Sequence, residues 1–368
     1  MKTIFYDITL NCNLKCLHCY NSKVLLPAKD SIINIEKTVN KILEVNPDIV
    51  VIQGGEPLLV QNIDLLIKEL KLLKKRVYIT TNATLLSQEK AIKLLTAGLS
   101  GIFFSIESLN KEKNDKIRGN GSYEKAIQNI LNFMQIYKLA LSKQIINDIL
   151  ICLSITITPL NLNTKKEIQN IFEFATNNSI NDLAFIFLIE SGNGKKLATF
   201  GKMDNIKVAD ILGSIGNNYP HIRVRLAYKK ILLDYLKLKY KNFNVWGEKK
   251  NCVAGSDLIY LNNNLEFSPC VCINNFDLYN EIINNNIVKF PQKYSNDSFK
   301  SFLELKNEIK DSLPKLCKVC SYRDNCIQVC PYNFKILNEK IDISECLELK
   351  KLISMLKNNK EHSCIIKK

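Results

Sequence analysis

Cys12, Cys16 and Cys19 form a Cys-x3-Cys-x2-Cys run close to the N-terminus. Thiolates so grouped can hold a cubane of four irons, normally one cysteine per iron, and three cysteines leave one iron open. A zinc site would need a fourth ligand, for which His18 is the local candidate. Gly54-Gly55-Glu56-Pro57 comes next. Its glycines let backbone approach a ligand closely, and Glu56 offers a charged acceptor to an ammonium group. Far downstream, Cys317, Cys320, Cys326, Cys330 and Cys346 read Cys-x2-Cys-x5-Cys-x3-Cys-x15-Cys, preceded by Cys252, Cys270 and Cys272. Of the 13 cysteines only Cys152 and Cys364 stand apart.

Cysteines in this number suit either a disulfide framework or metal ligation. Met1–Leu10 lacks the charged, apolar, small-residue order of an export signal. Without export the compartment is reducing, so metal ligation is the expectation and the cytoplasm the expected location. No apolar run is long enough to cross a membrane. The formal charge of +15 could suit nucleic acid, yet only five of the 51 basic residues are arginine and no arginine–aromatic cluster occurs. Most of the excess reads as the Lys/Asn/Ile bias of an AT-rich genome. A basic groove for an acidic peptide is the alternative.

The elements that must position these residues are legible from hydrophobic runs. Ile4–Leu10, Ile49–Gln53, Val77–Thr81, Gly101–Ile106, Leu150–Thr158 and Leu183–Ile189 are short and rich in β-branched and aromatic residues. Helix-like patterns separate most of them, which predicts parallel strands joined by right-handed crossovers. Six repeats fall short of the eight of a closed barrel. The expected fold is therefore α/β: a partial (β/α)6 barrel over residues 1–200, a connecting segment over 201–250, and a small cysteine-rich α+β domain over 251–368. In that last part Leu258–Leu261 and Leu265–Phe267 predict a hairpin, and Leu347–Leu356 a terminal helix.

With the cysteine run after the first strand and Gly-Gly-Glu-Pro after the second, residues 4 to about 195 closely resemble the radical S-adenosylmethionine (radical SAM) superfamily. The resemblance implies that Cys12, Cys16 and Cys19 ligate a 4Fe-4S cluster whose open iron chelates the amino and carboxylate groups of S-adenosylmethionine. Reductive cleavage would give a 5′-deoxyadenosyl radical. Gly54, Gly55, Glu56 and Pro57 would hold the methionyl amine, and His18, beside Tyr20, would lie against the adenine. Ser105, Glu107 and Arg118 match positions that touch the ribose and the methionyl carboxylate. On residue type alone Arg118 could equally be a surface cation, and Ser105 and Glu107 helix caps. Asn82 sits in a Thr-Asn-Ala run where relatives often have Thr-Asn-Gly. Gly192-Asn193-Gly194 resembles the adenine-side turn, with Ser191 in place of the usual proline.

Residues 252 to about 350 resemble the SPASM domain, which carries two auxiliary clusters. That resemblance implies Cys317, Cys320, Cys326 and Cys346 on an outer 4Fe-4S cluster and Cys252, Cys270 and Cys330 on an inner one. Cys272 is the local candidate for the inner cluster's fourth ligand, or that iron stays open. Paired zinc ribbons are the alternative for this domain. Cys152 shares strand parity with Ser154 and Thr156, so it is expected to face the lumen.

Within SPASM proteins the common pattern is oxidative modification of a ribosomally made peptide or protein, by thioether or carbon–carbon crosslinking. An external flavodoxin- or ferredoxin-type electron donor is implied, as is a separate leader-peptide recognition protein or direct binding to the barrel. Val271 stands where the sulfatase-maturing branch has an aspartate, which disfavours that branch. Tetrapyrrole side-chain chemistry is the enzymatic alternative, and a three-cluster electron carrier the non-enzymatic one. Gly-Gly-Glu-Pro argues against the carrier, because electron transfer needs no amine site. Anaerobically reconstituted protein should carry about twelve irons. Replacing Cys12, Cys16 and Cys19 together by alanine should remove about a third of them and abolish release of 5′-deoxyadenosine under dithionite.

Overall fold

The computed structural model describes residues 1–22, 24–162, 164–189, 191–201, 203–227, 229–247, 253–270, 307, 313–322 and 343–365. Six strands fall where the hydrophobic runs predict: β1 (Thr3–Thr9), β2 (Ile49–Gly54), β3 (Arg76–Thr81), β4 (Gly101–Ser105), β5 (Leu150–Ile157) and β6 (Asp182–Phe187). Between them run α1 (Ile35–Leu43), α2 (Ile63–Leu72), α3 (Gln88–Thr96), α4 (Lys111–Arg118), α5 (Ser122–Ser142) and α6 (Lys165–Asn177). Polar side chains start most of these helices by accepting a backbone N–H: Asn34, Ser87 and Asn110 cap α1, α3 and α4. Thr164 and Glu167 form a reciprocal capping box at α6.

The strand count exceeds the expectation. Beyond α7 (Asn193–Ala198) and α8 (Asn205–Gly216), β7 (Arg223–Ala227) pairs parallel with β6, and after α9 (Lys230–Lys239) β8 (Val245–Trp246) pairs with β7. The described residues of 201–250, expected as a connecting segment, thus continue the βα wall. β7 escapes a search for apolar runs because Arg223-Val224-Arg225-Leu226 alternates, with Val224 and Leu226 buried. On the other side of the sheet, β9 (Leu258–Leu261) lies parallel to β1, and β10 (Phe267–Ser268) completes the expected hairpin with it. The strand order is β10-β9-β1-β2-β3-β4-β5-β6-β7-β8. Beyond the hairpin come α10 (Lys315–Lys318) and α11 (Ser344–Ile365), the latter longer than the predicted terminal helix. Cys252, Cys272, Cys326 and Cys330 lie outside the described residues.

Alternate residues of a strand project to opposite faces. On the outer face Ile4, Ile52, Ile79, Ile102, Leu153 and Phe185 are fully buried in one core with Leu66, Leu70, Ile130 and Phe172 of the helices. Phe104 packs edge-on against Phe133 of α5, centroids 5.3 Å apart. The inner face carries shorter and more polar side chains. Phe5, Gln53, Thr80, Ser105, Ser154, Ala184 and Arg225, from seven strands, line one cavity, so the sheet curls around it. No helix among the described residues is long and apolar enough to cross a membrane.

Asp7, wholly buried on β1, ties three segments together. It accepts hydrogen bonds from Tyr260 of β9, from Gln53 of β2 at 3.0 Å and from Asn21 at 3.1 Å. Burial raises its pKa to about 6, against the opposing pull of those donors. A carboxyl whose folded-state pKa exceeds its unfolded value stabilises the fold at low pH and loses that contribution as pH rises through the folded value. Relative to Asp7→Asn, the native chain should lose about 3 kcal/mol of stability between about pH 4 and pH 7. Thermal midpoints across that range measure it, and a pH-independent difference would contradict it.

Candidate active site

The loop after β1 is pinned from three directions. Asn13 donates to Thr84 Oγ1 at 2.8 Å and accepts from Asn82 Nδ2 at 2.9 Å, which anchors it to the end of β3. Leu17 N–H donates to the Ile117 carbonyl at 2.8 Å, which anchors it to the end of α4. Asn193 supplies the third tie: its backbone N–H donates to the Cys19 carbonyl at 3.1 Å, and its Nδ2 to the Cys16 carbonyl at 3.0 Å. Gly192, at φ 54°, permits this contact, because a Cβ there would stand 2.7 Å from the Cys19 carbonyl oxygen. Gly192-Asn193-Gly194, expected beside an adenine, therefore grips the cysteine loop itself.

The Gly-Gly-Glu-Pro segment is stitched to the same loop. Gly55 N–H donates to the Thr9 carbonyl at 2.7 Å and Glu56 N–H to the Asn11 carbonyl at 2.8 Å. A Cβ at Gly55 would stand 2.1 Å from the Asn11 oxygen, so the close approach that glycine allows is to the chain's own backbone. Pro57 opens a single 3-10 turn, Pro57–Leu59, which Glu56 caps. Glu56 is 1% exposed. Its Oε1 accepts from Thr81 Oγ1 at 2.6 Å and Leu58 N–H at 3.1 Å, and its Oε2 from Asn82 N–H at 2.9 Å. A carboxylate has about four acceptor positions, so one remains for an exogenous donor. Burial raises the Glu56 pKa, and the three donors oppose that shift.

Arg118 is no surface cation. It is 7% exposed, and its Nε and Nη2 donate to Glu107 Oε1 at 3.0 and 2.6 Å. Glu107 is wholly buried, and its Oε2 accepts from Thr156 N–H of β5 at 2.6 Å. Arg118 and Ser105 line the cavity; Glu107 sits behind Arg118 and holds it. His18 lines the cavity too, with Nε2 3.4 Å from Glu107 Oε1. Desolvation by burial lowers its pKa to about 4, so the ring is neutral near pH 7. Its Nδ1 is buried with no hydrogen-bond partner among the described residues.

Cys12, Cys16 and Cys19 line the same cavity of about 370 Å³ as Glu56, His18 and Arg118. Burial is the main cause that pushes the Cys12 thiol up to about 11 and Cys19 to about 12, and it raises Cys16 as well. Cys12 also feels Cys16 as a like charge, Cys19 feels Cys16 and Cys12, and Cys16 feels the Glu107 and Glu56 carboxylates. Such a set becomes thiolate only around a strongly positive centre. The donor set, the orphaned His18 nitrogen and the open acceptor position on Glu56 together fit a thiolate-held cluster with an amine-bearing ligand beside it. Cys152 is buried among the lower residues of β5, outside the set that lines the cavity, and burial raises its pKa.

In the C-terminal region, Cys317 of α10 has Cys320 and Cys346 of α11 as like-charged neighbours, which with burial raises its pKa. Cys270 follows β10, where its carbonyl accepts from Ser268 Oγ at 3.1 Å. Lys229, just before α9, pairs with Glu345 of α11, and Lys230 lies 5.4 Å over the Tyr322 ring.

Sequence reasoning gave no role to Asn13 or to the clamping side of Asn193, and a weakened one to Asn82. Isolated asparagines carry no spacing signal; only the Thr-Asn-Ala run and the glycines flanking Asn193 pointed to them. Glu56→Ala should leave Thr81, Asn82 and Leu58 with unmatched donors and remove the open acceptor position expected to meet an ammonium group. Affinity for S-adenosylmethionine, measured by titration of the iron-loaded protein, should fall by about tenfold or more while iron content is kept. Unchanged affinity would remove Glu56 from the site.

Residues 6–175 match the family model of the radical SAM superfamily. The chain is 23% identical over 340 residues to an AdoMet-dependent heme synthase of Methanosarcina barkeri, covering 88% of this chain and 90% of that protein. Other curated relatives are matched over about half of their length. Among solved structures, Streptococcus suis SuiB bound to S-adenosylmethionine superposes with a TM-score of 0.65 at 15% identity, over 92% of this chain and 74% of SuiB. SuiB has also been crystallised with its precursor peptide SuiA. Native anSMEcpe with bound AdoMet and the Cp18Cys peptide superposes with a TM-score of 0.59 at 16% identity, over 97% of this chain and 99% of the other. The structural likenesses show a shared α/β fold built on a parallel sheet, and within it residues 6–175 match the radical SAM family model.

Proposed function

We propose that the chain is a radical SAM enzyme that oxidatively modifies a side chain of a ribosomally made peptide or protein, by thioether or carbon–carbon crosslinking. The observation that carries this reading is the lumen. Its volume of about 370 Å³ is bounded at one end by the three cysteines, His18, Glu56 and Arg118, and elsewhere by Phe103, Ile186 and Phe187 with small hydroxyls between. That is near the lower end for ligand pockets. With a cofactor seated at the cysteine end, the remaining space suits a slender group projecting from a larger substrate.

When bound, the 4Fe-4S cluster and S-adenosylmethionine supply a hydrogen-abstracting radical. The chain's own residues do the rest. Cys12, Cys16 and Cys19 present thiolates on a loop held at three points. Glu56 takes the ammonium, Ser105 and Arg118 face the remaining polar groups, Glu107 fixes the guanidinium, and the neutral His18 ring offers a face to the adenine. Phe103, Ile186 and Phe187 keep water from the reacting carbon. Cys317, Cys320 and Cys346 gather at α10 and α11; with Cys252, Cys270, Cys272, Cys326 and Cys330 they would hold two auxiliary clusters in a SPASM arrangement. A crosslink removes two hydrogens from the substrate. One leaves as the abstracted atom, and the second leaves as a proton and an electron that those clusters would receive. A flavodoxin- or ferredoxin-type donor would reduce the first cluster.

Tetrapyrrole side-chain chemistry is the second reading, favoured by the match to a heme synthase along nearly its whole length. Iron-loaded protein, S-adenosylmethionine and reductant should be incubated with short cysteine-containing peptides encoded beside the gene, and separately with a porphyrin. A peptide mass loss of two hydrogens, with a crosslink located by fragmentation, is the expected outcome. Untouched peptides together with a porphyrin that loses carboxylate side chains would replace the first reading by the second.

A further inference from the structure

Alternate residues of the cysteine loop differ in what they face. Cys12, Leu14, Cys16 and His18 line the cavity, whereas Asn13, Lys15 and Leu17 between them do not. Asn13 is taken up by Thr84 and Asn82. Lys15 is exposed, and so is Leu17, at 37%. At these two residues a single thickness of backbone lies between the cysteine side of the loop and solvent.

The two segments that anchor the loop bring further cations. Lys116 precedes Ile117, whose carbonyl holds Leu17, and Lys195 and Lys196 follow Asn193, which holds Cys16 and Cys19. All three are exposed, and none lines the cavity. With Lys15 they make four lysines that have no ion-pair partner among the described residues. Residues 12–19, 116–120 and 192–200 include no aspartate or glutamate. Asp115, just before Lys116, is occupied by Gly121, Ser122 and Tyr123. Unpaired like charges around an exposed leucine add nothing to the stability of the chain alone. They suit a partner of opposite charge.

We propose that Lys15, Leu17, Lys116, Lys195 and Lys196 form the docking face for a small acidic electron-carrier protein, which delivers one electron through the cysteine loop. This rests on the reading above, in which the three cysteines hold a cluster reduced by a protein donor. In the transfer the carrier loses one electron, the cluster gains it, and no bond or proton moves. The lumen is no route for that electron, because cofactor and substrate fill it in the working enzyme. A carrier must also leave after each delivery, which suits a small contact guided by long-range attraction. An acidic substrate peptide fits these lysines less well, because none faces the space where the substrate reacts.

The test is equilibrium binding of an oxidised, strongly acidic flavodoxin to the iron-loaded protein, at about 0.01 M and about 0.15 M ionic strength. Affinity should fall about tenfold or more with that rise in salt, and as much at low salt in a variant carrying Lys116→Glu, Lys195→Glu and Lys196→Glu. The control carries Lys71→Glu, Lys74→Glu and Lys143→Glu, at the opposite end of the sheet, where α2 and α5 lead into the starts of β3 and β5. It should lose less than about threefold. Release of 5′-deoxyadenosine driven by reduced flavodoxin should slow in the first variant alone. Release driven by photoreduced 5-deazariboflavin, a small uncharged reductant, should be the same in all. Should the first variant fail to accumulate, Lys15→Gln with Lys196→Gln carries the test, with a loss of about threefold or more. No binding, binding that ignores salt, or a control weakened as much as the first variant overturns the proposal. So does a first variant slowed alike with both reductants. A native chain that releases no 5′-deoxyadenosine even with 5-deazariboflavin removes the reading of the cysteine loop, and the docking face with it.

Discussion

The arrangement depends on one backbone contact, the stitch between the end of β1 and the end of β2. Gly55 and Glu56 donate to Thr9 and Asn11 with no side chain between the two strands of backbone. That stitch sets how far the cysteine loop stands from the Glu56 carboxylate. A residue with a Cβ at position 55 would push the two apart, and the three cysteines and the Glu56 carboxylate would cease to share one cavity. Asn13, Asn193 and the Ile117 carbonyl then fix the rotation of the loop about this contact.

Around the stitch lies a set of buried charges, each held by a neighbour from a different strand or helix. Glu107 is the hub. It takes Arg118 from α4 and the Thr156 N–H from β5, while Asn161 donates to its backbone carbonyl at 2.6 Å. Buried ion pairs add little net stability once desolvation is counted, but removal of one partner is costly. Their value here is positional: the guanidinium faces the cavity in one orientation, and the neutral His18 ring beside it has little freedom to turn. Polar groups rigidified in this way are what a site needs if a reactive species is to meet one carbon and no other.

Six strands, their helices and the cysteine spacing were readable because each obeys a local rule of run length, period or ligand spacing. β7 was not, because its inward positions carry arginine, and alternation over five residues looks like surface. The same inward face lines the lumen, so the feature that hid the strand is one that faces the cavity. Glu107 was legible as a strand-end acid, but its place behind Arg118 depends on the crossing of α4 over β4. No spacing along the chain encodes that. Asp7 was passed over for a similar reason: its partners Asn21, Gln53 and Tyr260 come from three separate segments, the last on β9.

The place of β9 has a consequence for how the chain is made. β1 is synthesised before the other described strands of the sheet, and β2 covers one of its edges within a few dozen residues. Its other edge pairs with Leu258–Leu261, synthesised after the rest of the parallel wall. Parallel pairing across so long a separation carries a large loop-closure cost and is slow. Until it forms, an apolar strand edge stays open beside the nascent cysteine loop, a condition that invites wrong pairing with another chain. Synthesis of Leu258–Leu261 therefore covers the second edge of β1, and a chain truncated before β9 would leave that edge bare.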